Sequence, residues 1–352
     1  MSKQYNMSYM ANLEEIGVSE MYARAKKSTP YLYDGFVSRG RNLLYGEAKS
    51  GKSLIAVDLV ASLVSGKPFM STPIADQYQG TQWKVAILGS DDFPEEEYGE
   101  RLEKVLPDAE DMGYEFATFP VSSIRDYQEW IGIRNQLHNK GYNFVILDNL
   151  TQLAGGDINS PVPVQEFWEG VKLFTEARIH TVTIAHSSDS ENQFKQKSEK
   201  PGGHYAITAG VRHRMFVVDH GDFRTVKTIG NHQGSKKVHI VETGDVPDFT
   251  VKQTMTYEEF ETFKRARSKT RKAERAKMDE PSPKKDRNRG TDHATRVKDF
   301  LSGKDWVKKG TIQAGVRGTQ TVISAALDSL VGSSEVQQKP GDGGSILYRL
   351  AS

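Results

Sequence analysis

Residues 46–54 read GEAKSGKSL: a glycine, four intervening residues, a second glycine and a Lys-Ser pair. The stretch satisfies G-x-x-x-x-G-K-[ST] between an apolar strand pattern, NLLY at 42–45, and a helical one, SLIAVDLVASLVSG at 53–66. In that setting the glycines let the backbone wrap an anion with its N–H groups inward, and the start of the helix adds a favourable field. Gly46, Glu47, Ala48, Lys49, Ser50, Gly51, Lys52, Ser53 and Leu54 are therefore expected to cradle the triphosphate of ATP. Lys52 is expected to reach the β- and γ-phosphates, and Ser53 to hold Mg²⁺.

A second stretch agrees with the first. FVILD at 144–148 is an apolar strand that delivers Asp148 to the sheet edge where phosphates and metal belong, which makes Asp148 the second Mg²⁺ residue. GSDDFPEEE at 89–97 follows another apolar strand, and Asp91 is its candidate for polarising the attacking water. Each acidic residue there also reads as an ordinary charge at a helix start. HTVTIAH at 180–186 ends in His186, and a polar run of nearly twenty residues follows it, carrying Lys195, Lys197 and Lys200 as candidate contacts to nucleic acid.

The order of strand, helix and strand from Asn42 onward predicts an α/β domain with a largely parallel central sheet. RMFVVD, RTVKTI and KVHIVE predict further strands, antiparallel at the sheet edge. The composition changes near Tyr257, where YEEFETFKRARSKTRKAERAKM predicts one exposed helix and DEPSPKKDRNRG a Pro-broken linker. Apolar periodicity then returns, predicting three helices and a hairpin with the turn PGDGG, the order of a winged helix. The expected divisions are an arm at 1–29, the ATPase core at 30–256, the basic helix and linker at 257–290 and the winged-helix-like domain at 291–352.

The 352 residues contain no cysteine, which excludes disulfides, thiolate metal sites and thiol nucleophiles and fits a reducing cytoplasm. No run approaches the roughly 18 apolar residues of a membrane span, and the start lacks the apolar block of a secretory signal, so no membrane partner is expected. The net charge of +1 hides an asymmetry, with about a dozen basic residues and four acidic ones between Lys264 and Arg289. That segment reads as a salt-sensitive tether for phosphate backbones or as a solubilising linker.

Taken together, TPYLYDGFVSRGRNLLYGEAKSGKSLIAVDLVASLVSGKPF, AILGSDDFPEEEYGERL, VILDNLTQLAGGDINS and IAHSS resemble the RecA-like ATPases of the RepA type. These are hexameric replicative helicases of some plasmids and phages, and the resemblance covers roughly 30–245. It implies a RecA-like fold, ATP bound between subunits of a ring, and single-stranded DNA held by central loops. By position it makes His186 the γ-phosphate sensor and Arg212 the arginine finger entering a neighbour's site. Arg214 is an adjacent competitor for that role. Lys227 becomes a basic residue assisting in trans. The winged-helix-like tail is not part of the shared core and is a candidate contact for replication proteins.

The chain departs from that pattern at Asp91, where the family usually has Glu, and at Gly202-Gly203, where relatives carry Arg-Gly. Partition-type ATPases need a lysine where this chain has Glu47, and a small-molecule kinase needs an arginine-rich lid that the 187–205 run lacks. Two alternatives stay open: a phage-type RecA-like recombination or annealing ATPase, and a nucleotide-responsive DNA-binding regulator whose C-terminal tail reads a site through Thr319, Gln320 and Ser324.

Overall fold

A computed structural model describes residues 15–27, 29–188, 199–231, 236–244, 246–278 and 289–351. The chain divides into two compact units, Met1–Ala266 and Arg267–Ser352. In the first unit, helix α1 (Val18–Lys27) precedes a small hairpin of β1 (Tyr31–Tyr33) and β2 (Val37–Ser38). Then come β3 (Arg41–Gly46), α2 (Lys52–Ser65), β4 (Lys84–Gly89), α3 (Pro94–Val105), β5 (Glu115–Pro120), α4 (Tyr127–Asn139) and β6 (Phe144–Asp148). They are followed by α5 (Leu150–Leu153), α6 (Pro161–Glu176), β7 (His180–His186) and α7 (Ala206–Ala209). The strands β8 (His213–Asp219), β9 (Arg224–Gly230), β10 (Lys237–Thr243) and β11 (Phe249–Met255) lead to α8 (Tyr257–Met278), within which the division between units falls.

Nine strands form one sheet in the order β11-β10-β9-β8-β3-β7-β6-β4-β5. The run from β8 to β5 is parallel, and β9, β10 and β11 continue it antiparallel. This is an α/β fold with a large, mostly parallel central sheet. Central strands are apolar on both faces because helices cover both. In β6 every side chain is buried, and each of Phe144, Val145, Ile146 and Leu147 contributes about 1.5–3 kcal/mol by leaving water. Leu44, Ile87, Ile146, Ile184 and Val217 face α2 and α3, whereas Leu43, Leu88, Leu147 and Phe216 face α4, α5 and α6.

Local signals set the helix ends. Gly66, with φ at 72°, stops α2 in the left-handed conformation that glycine adopts at least cost. Pro94 begins α3 ahead of three glutamates that favour the positive end of its dipole. Asp126 caps α4 by accepting from the Gln128 N–H at 2.7 Å. Helix α8 corrects one expectation, because one face of its first turns is covered: Tyr257, Phe260 and Phe263 recur at three-residue spacing and pack with Val238 and Met255, and Phe260 is buried, while Glu258, Glu259 and Glu261 stay exposed.

The second unit holds α9 (Arg289–Leu301), β12 (Val307–Lys308), α10 (Lys309–Gly315), α11 (Gln320–Gly332), β13 (Val336–Pro340) and β14 (Ile346–Leu350). Its strands pair antiparallel in the order β12-β14-β13 around a core of Val297, Leu301, Ile312, Ile323, Leu327 and Tyr348. The three helices and the hairpin appear in the expected order, and the short β12 between the first two helices is an addition. Among the described residues, no helix is long and apolar enough to cross a membrane.

Candidate functional site

Strand β3 ends at Gly46, which pairs with His186 of β7 on one side and Val217 of β8 on the other. A methyl group on Gly46 would stand 2.4 Å from the Val217 carbonyl oxygen and 2.9 Å from Ser50 Oγ, so a side chain is excluded there. Gly51 turns the chain into α2 with φ at 98°, a conformation costly for any other residue. Inside the loop, the Ser50 hydroxyl is buried without a hydrogen-bond partner, and Lys52 Nζ donates to the loop's own Glu47 carbonyl at 2.8 Å. Burial lowers the pKa of the Lys52 amine, and the charge of Asp148 opposes that shift. A turn that holds an orphaned hydroxyl and a desolvated ammonium against backbone fits an incoming phosphate chain, which would satisfy both.

Asp148 ends β6 beside the end of β4, where it pairs with Gly89. Its Oδ2 accepts from Tyr98 of α3 at 2.7 Å and from Ser53 Oγ at 3.5 Å. Ser90 Oγ donates to the Asp148 carbonyl at 3.0 Å and accepts from the Asn149 N–H at 2.9 Å, across a cis Asp148–Asn149 peptide. Asn149 Nδ2 in turn donates to Asp91 Oδ1 at 3.3 Å. Burial raises the Asp148 carboxyl above its ordinary range; the Tyr98 hydrogen bond pulls it back, Asp91 pushes it up and Lys52 pulls it down. The Ser53 hydroxyl and the Asp148 carboxylate are hard oxygen donors side by side at the mouth of the loop. That donor set fits Mg²⁺, which takes one or two protein oxygens and completes its shell with phosphate and water.

Residues 18–192 match the AAA domain family model. The match covers just under half of the chain and runs from α1 past β7, so it includes the loop, Asp91, Asp148 and His186. No curated protein matches the chain. The AAA domain is a P-loop ATPase-type domain, so the match points to a nucleotide-dependent activity and implies nucleotide binding, typically with Mg²⁺.

The loop, Ser53, Asp91 and Asp148 come together from β3, β4 and β6, and His186 stands at the end of the intervening β7 in register with Gly46. Arg212 is elsewhere. It precedes β8, at the sheet edge opposite the loop, where its N–H reaches the Arg41 carbonyl at 3.4 Å. Five residues of strand separate it from Val217, roughly 17 Å. It is exposed, and its positive charge lowers the pKa of nearby Arg41 after burial has done so.

Lys227 corrects the expectation that it reaches a neighbouring subunit. It lies within β9 with its side chain 5% exposed, ion-paired to Glu199 and set over the rings of Tyr257 and Phe260. Its position in β9 turns it onto the face of Tyr45 and Phe216, away from α2, and the start of α8 covers it. Lys195 and Lys197 lie outside the described residues, whereas Lys200 is exposed and accepts from the Ser188 N–H at 2.9 Å through its carbonyl. Gly202-Gly203 has a steric reason: the Gly202 N–H donates to the His186 carbonyl at 2.8 Å, and a methyl on Gly203 would stand 2.7 Å from the Ile158 carbonyl oxygen.

The sequence reading missed Tyr98, Ser90 and Asn149. Tyr98 had one legible signal, an aromatic residue alone in the charged EEEYGERLEK stretch, where only the buried face of a helix accommodates it.

Proposed function

We propose that this chain is a cytoplasmic ATP-driven DNA motor, a ring-forming replicative helicase of the RepA type acting on single-stranded DNA. The observation that carries the reading is the separation of Arg212 from the loop of its own chain. An exposed arginine at the far edge of the sheet cannot serve its own site and suits the site of a head-to-tail neighbour. Mg²⁺ held by Ser53 and Asp148 supplies charge neutralisation at the phosphates when bound. Lys52 leaves the Glu47 carbonyl for the phosphates, Asp91 orients the attacking water, and Arg212 from the next subunit offsets charge built up in the transition state. His186 connects this chemistry to the following 187–205 segment, where Lys200 contacts DNA.

Mixing Lys52→Ala and Arg212→Ala chains tests this directly. Each alone is inactive, and random assembly of equal amounts leaves about a quarter of the interfaces with both an intact loop and an intact finger. ATPase recovery near that level is expected, and a mixture as inactive as its parents refutes the shared site. Strand separation of a tailed duplex is expected from the motor. Filament formation with DNA-stimulated hydrolysis alone would favour recombination instead.

The α9, β12, α10, α11, β13, β14 order supports a winged-helix domain, proposed here as a docking module for replication proteins. A second reading, a nucleotide-responsive DNA-binding regulator, is favoured by the exposure of Thr319, Gln320, Thr321 and Val322 at the start of α11. Deleting residues 291–352 separates the two, because unchanged affinity for duplex DNA removes the regulator.

A further inference from the structure

We propose that the cleft at the ends of β8, β9 and β10 holds the nucleoside half of the nucleotide, with Arg224 at its junction with the phosphates. The proposal rests on reading Gly46–Ser53 as a triphosphate cradle. The direction comes from strand order. Asp148, His186 and Asp91 all stand on the β7, β6 and β4 side of β3, so the terminal phosphate and the metal belong on that side. The other neighbour of β3 is β8, and the sugar and base leave toward it.

On that side lies a small open cleft of about 230 Å³. Asp219, Asp222, Phe223, Arg224, Glu242 and Thr243 line it. Arg224 and Asp219 pair across β8 and β9, two residues and roughly 7 Å beyond the level of Gly46 and Val217. The Arg224 side chain reaches back over the loop, so that a methyl on Gly51 would stand 3.3 Å from Nε. That Nε is buried with no hydrogen-bond partner, while the terminal nitrogens reach Asp219 Oδ2 at 3.1 Å and Thr243 Oγ1 at 3.5 Å. An arginine so placed has a donor left over beside the phosphate loop.

Charge along the path matches a nucleotide in one orientation. Lys52 stands at the loop, Arg224 comes next, and the far cleft carries the carboxylates of Asp219, Asp222 and Glu242, the last paired with Lys252 at 3.1 Å. Carboxylates repel phosphate and accept hydrogen bonds from ribose hydroxyls and base amino groups. The anionic end of the ligand is drawn to the loop and its donor-rich end to the cleft.

The test is calorimetric titration of the full chain with Mg-ATP and with inorganic tripolyphosphate, which lacks sugar and base. Thr243→Trp fills the cleft at an exposed position and is expected to weaken ATP at least about tenfold while leaving tripolyphosphate within about twofold. Arg224→Ala is expected to weaken ATP by about tenfold as well. ATP bound as tightly as by wild type in either variant, or Thr243→Trp weakening both ligands equally, overturns the assignment. A wild-type chain that binds neither ligand overturns the cradle reading itself, and this inference with it.

Discussion

Asp58 lies on α2, six residues beyond Lys52, and is buried between that helix and β11, where it accepts from the Phe249 N–H at 3.3 Å. Burial lifts its carboxyl from the ordinary 3.8 to about 8; the Phe249 hydrogen bond opposes the rise and Asp248 adds to it. Tyr33 packs in the same core with its hydroxyl buried and without a hydrogen-bond partner. Because the folded value lies above the unfolded one, the native state keeps a proton that the unfolded chain releases. The stability that Asp58 contributes is therefore greatest below pH 4, falls as pH rises toward 8 and then levels off. At ~1.4 kcal/mol per unit, the loss between pH 5 and pH 8 amounts to about 4 kcal/mol. Asp58→Asn keeps an oxygen for Phe249 and cannot ionise, so the stability difference between variant and wild type should widen by about that amount over the interval. Urea unfolding at four pH values reads it through tryptophan fluorescence, since Trp83, Trp130 and Trp168 lie in the first unit and Trp306 in the second. Stability curves that stay parallel for the two proteins refute the argument.

Three further outcomes are expected. Tyr98→Phe removes the 2.7 Å hydrogen bond to Asp148, worth about 1.5–3 kcal/mol at a charged acceptor, and steady-state ATPase should fall by about tenfold at limiting Mg²⁺ and less when Mg²⁺ is saturating. Lys227→Met should lower unfolding stability by about 1–2 kcal/mol, while turnover per folded molecule stays within about twofold of wild type; a selective loss of turnover would restore the trans-acting role. Tyr205, 76% exposed beside the ring of His204, offers a stacking face, and Tyr205→Ala should weaken single-stranded DNA by about 1–3 kcal/mol in an anisotropy titration without changing ATP affinity.

The parallel part of the sheet was legible because uninterrupted apolar runs such as FVIL have one comfortable home, a central strand covered on both faces. The edge was not. In EFATFP of β5 no residue is fully buried, and the residues therefore carry neither the alternation nor the apolar density that marks a strand. The phosphate loop could be read because its chemistry is local to eight residues, and Asp148 because it is the last residue of its strand. Tyr98 meets Asp148 across 50 residues of sequence, and Arg224 meets Gly51 across a longer interval, so neither meeting leaves a pattern in any short window. Lys227 shows the same limit in reverse. Its outward reading failed because the aromatic residues that cover it, Tyr257 and Phe260, belong to the next helix.

The proposed coupling of the nucleotide site to residues 199–205 can be tested at a single atom. Two backbone hydrogen bonds stitch residues 202–204 to the rest of the site: the Gly202 N–H to the His186 carbonyl at 2.8 Å, and the His204 N–H to the Ile158 carbonyl at 2.7 Å. His186 ends the strand beside the phosphate loop, and Ile158 follows Asp148 by ten residues, so these two bonds form a main-chain route from the site to Tyr205. Gly203 sits between the two bonds with φ at 102° and no room for a methyl group. Gly203→Ala forces that turn apart at a local cost of roughly 1–2 kcal/mol, yet touches no residue of the phosphate loop. Nucleotide affinity should therefore remain while stimulation of hydrolysis by single-stranded DNA is lost. If stimulation survives with His204 and Tyr205 displaced, communication runs through another route, and the stitched segment is only scaffolding.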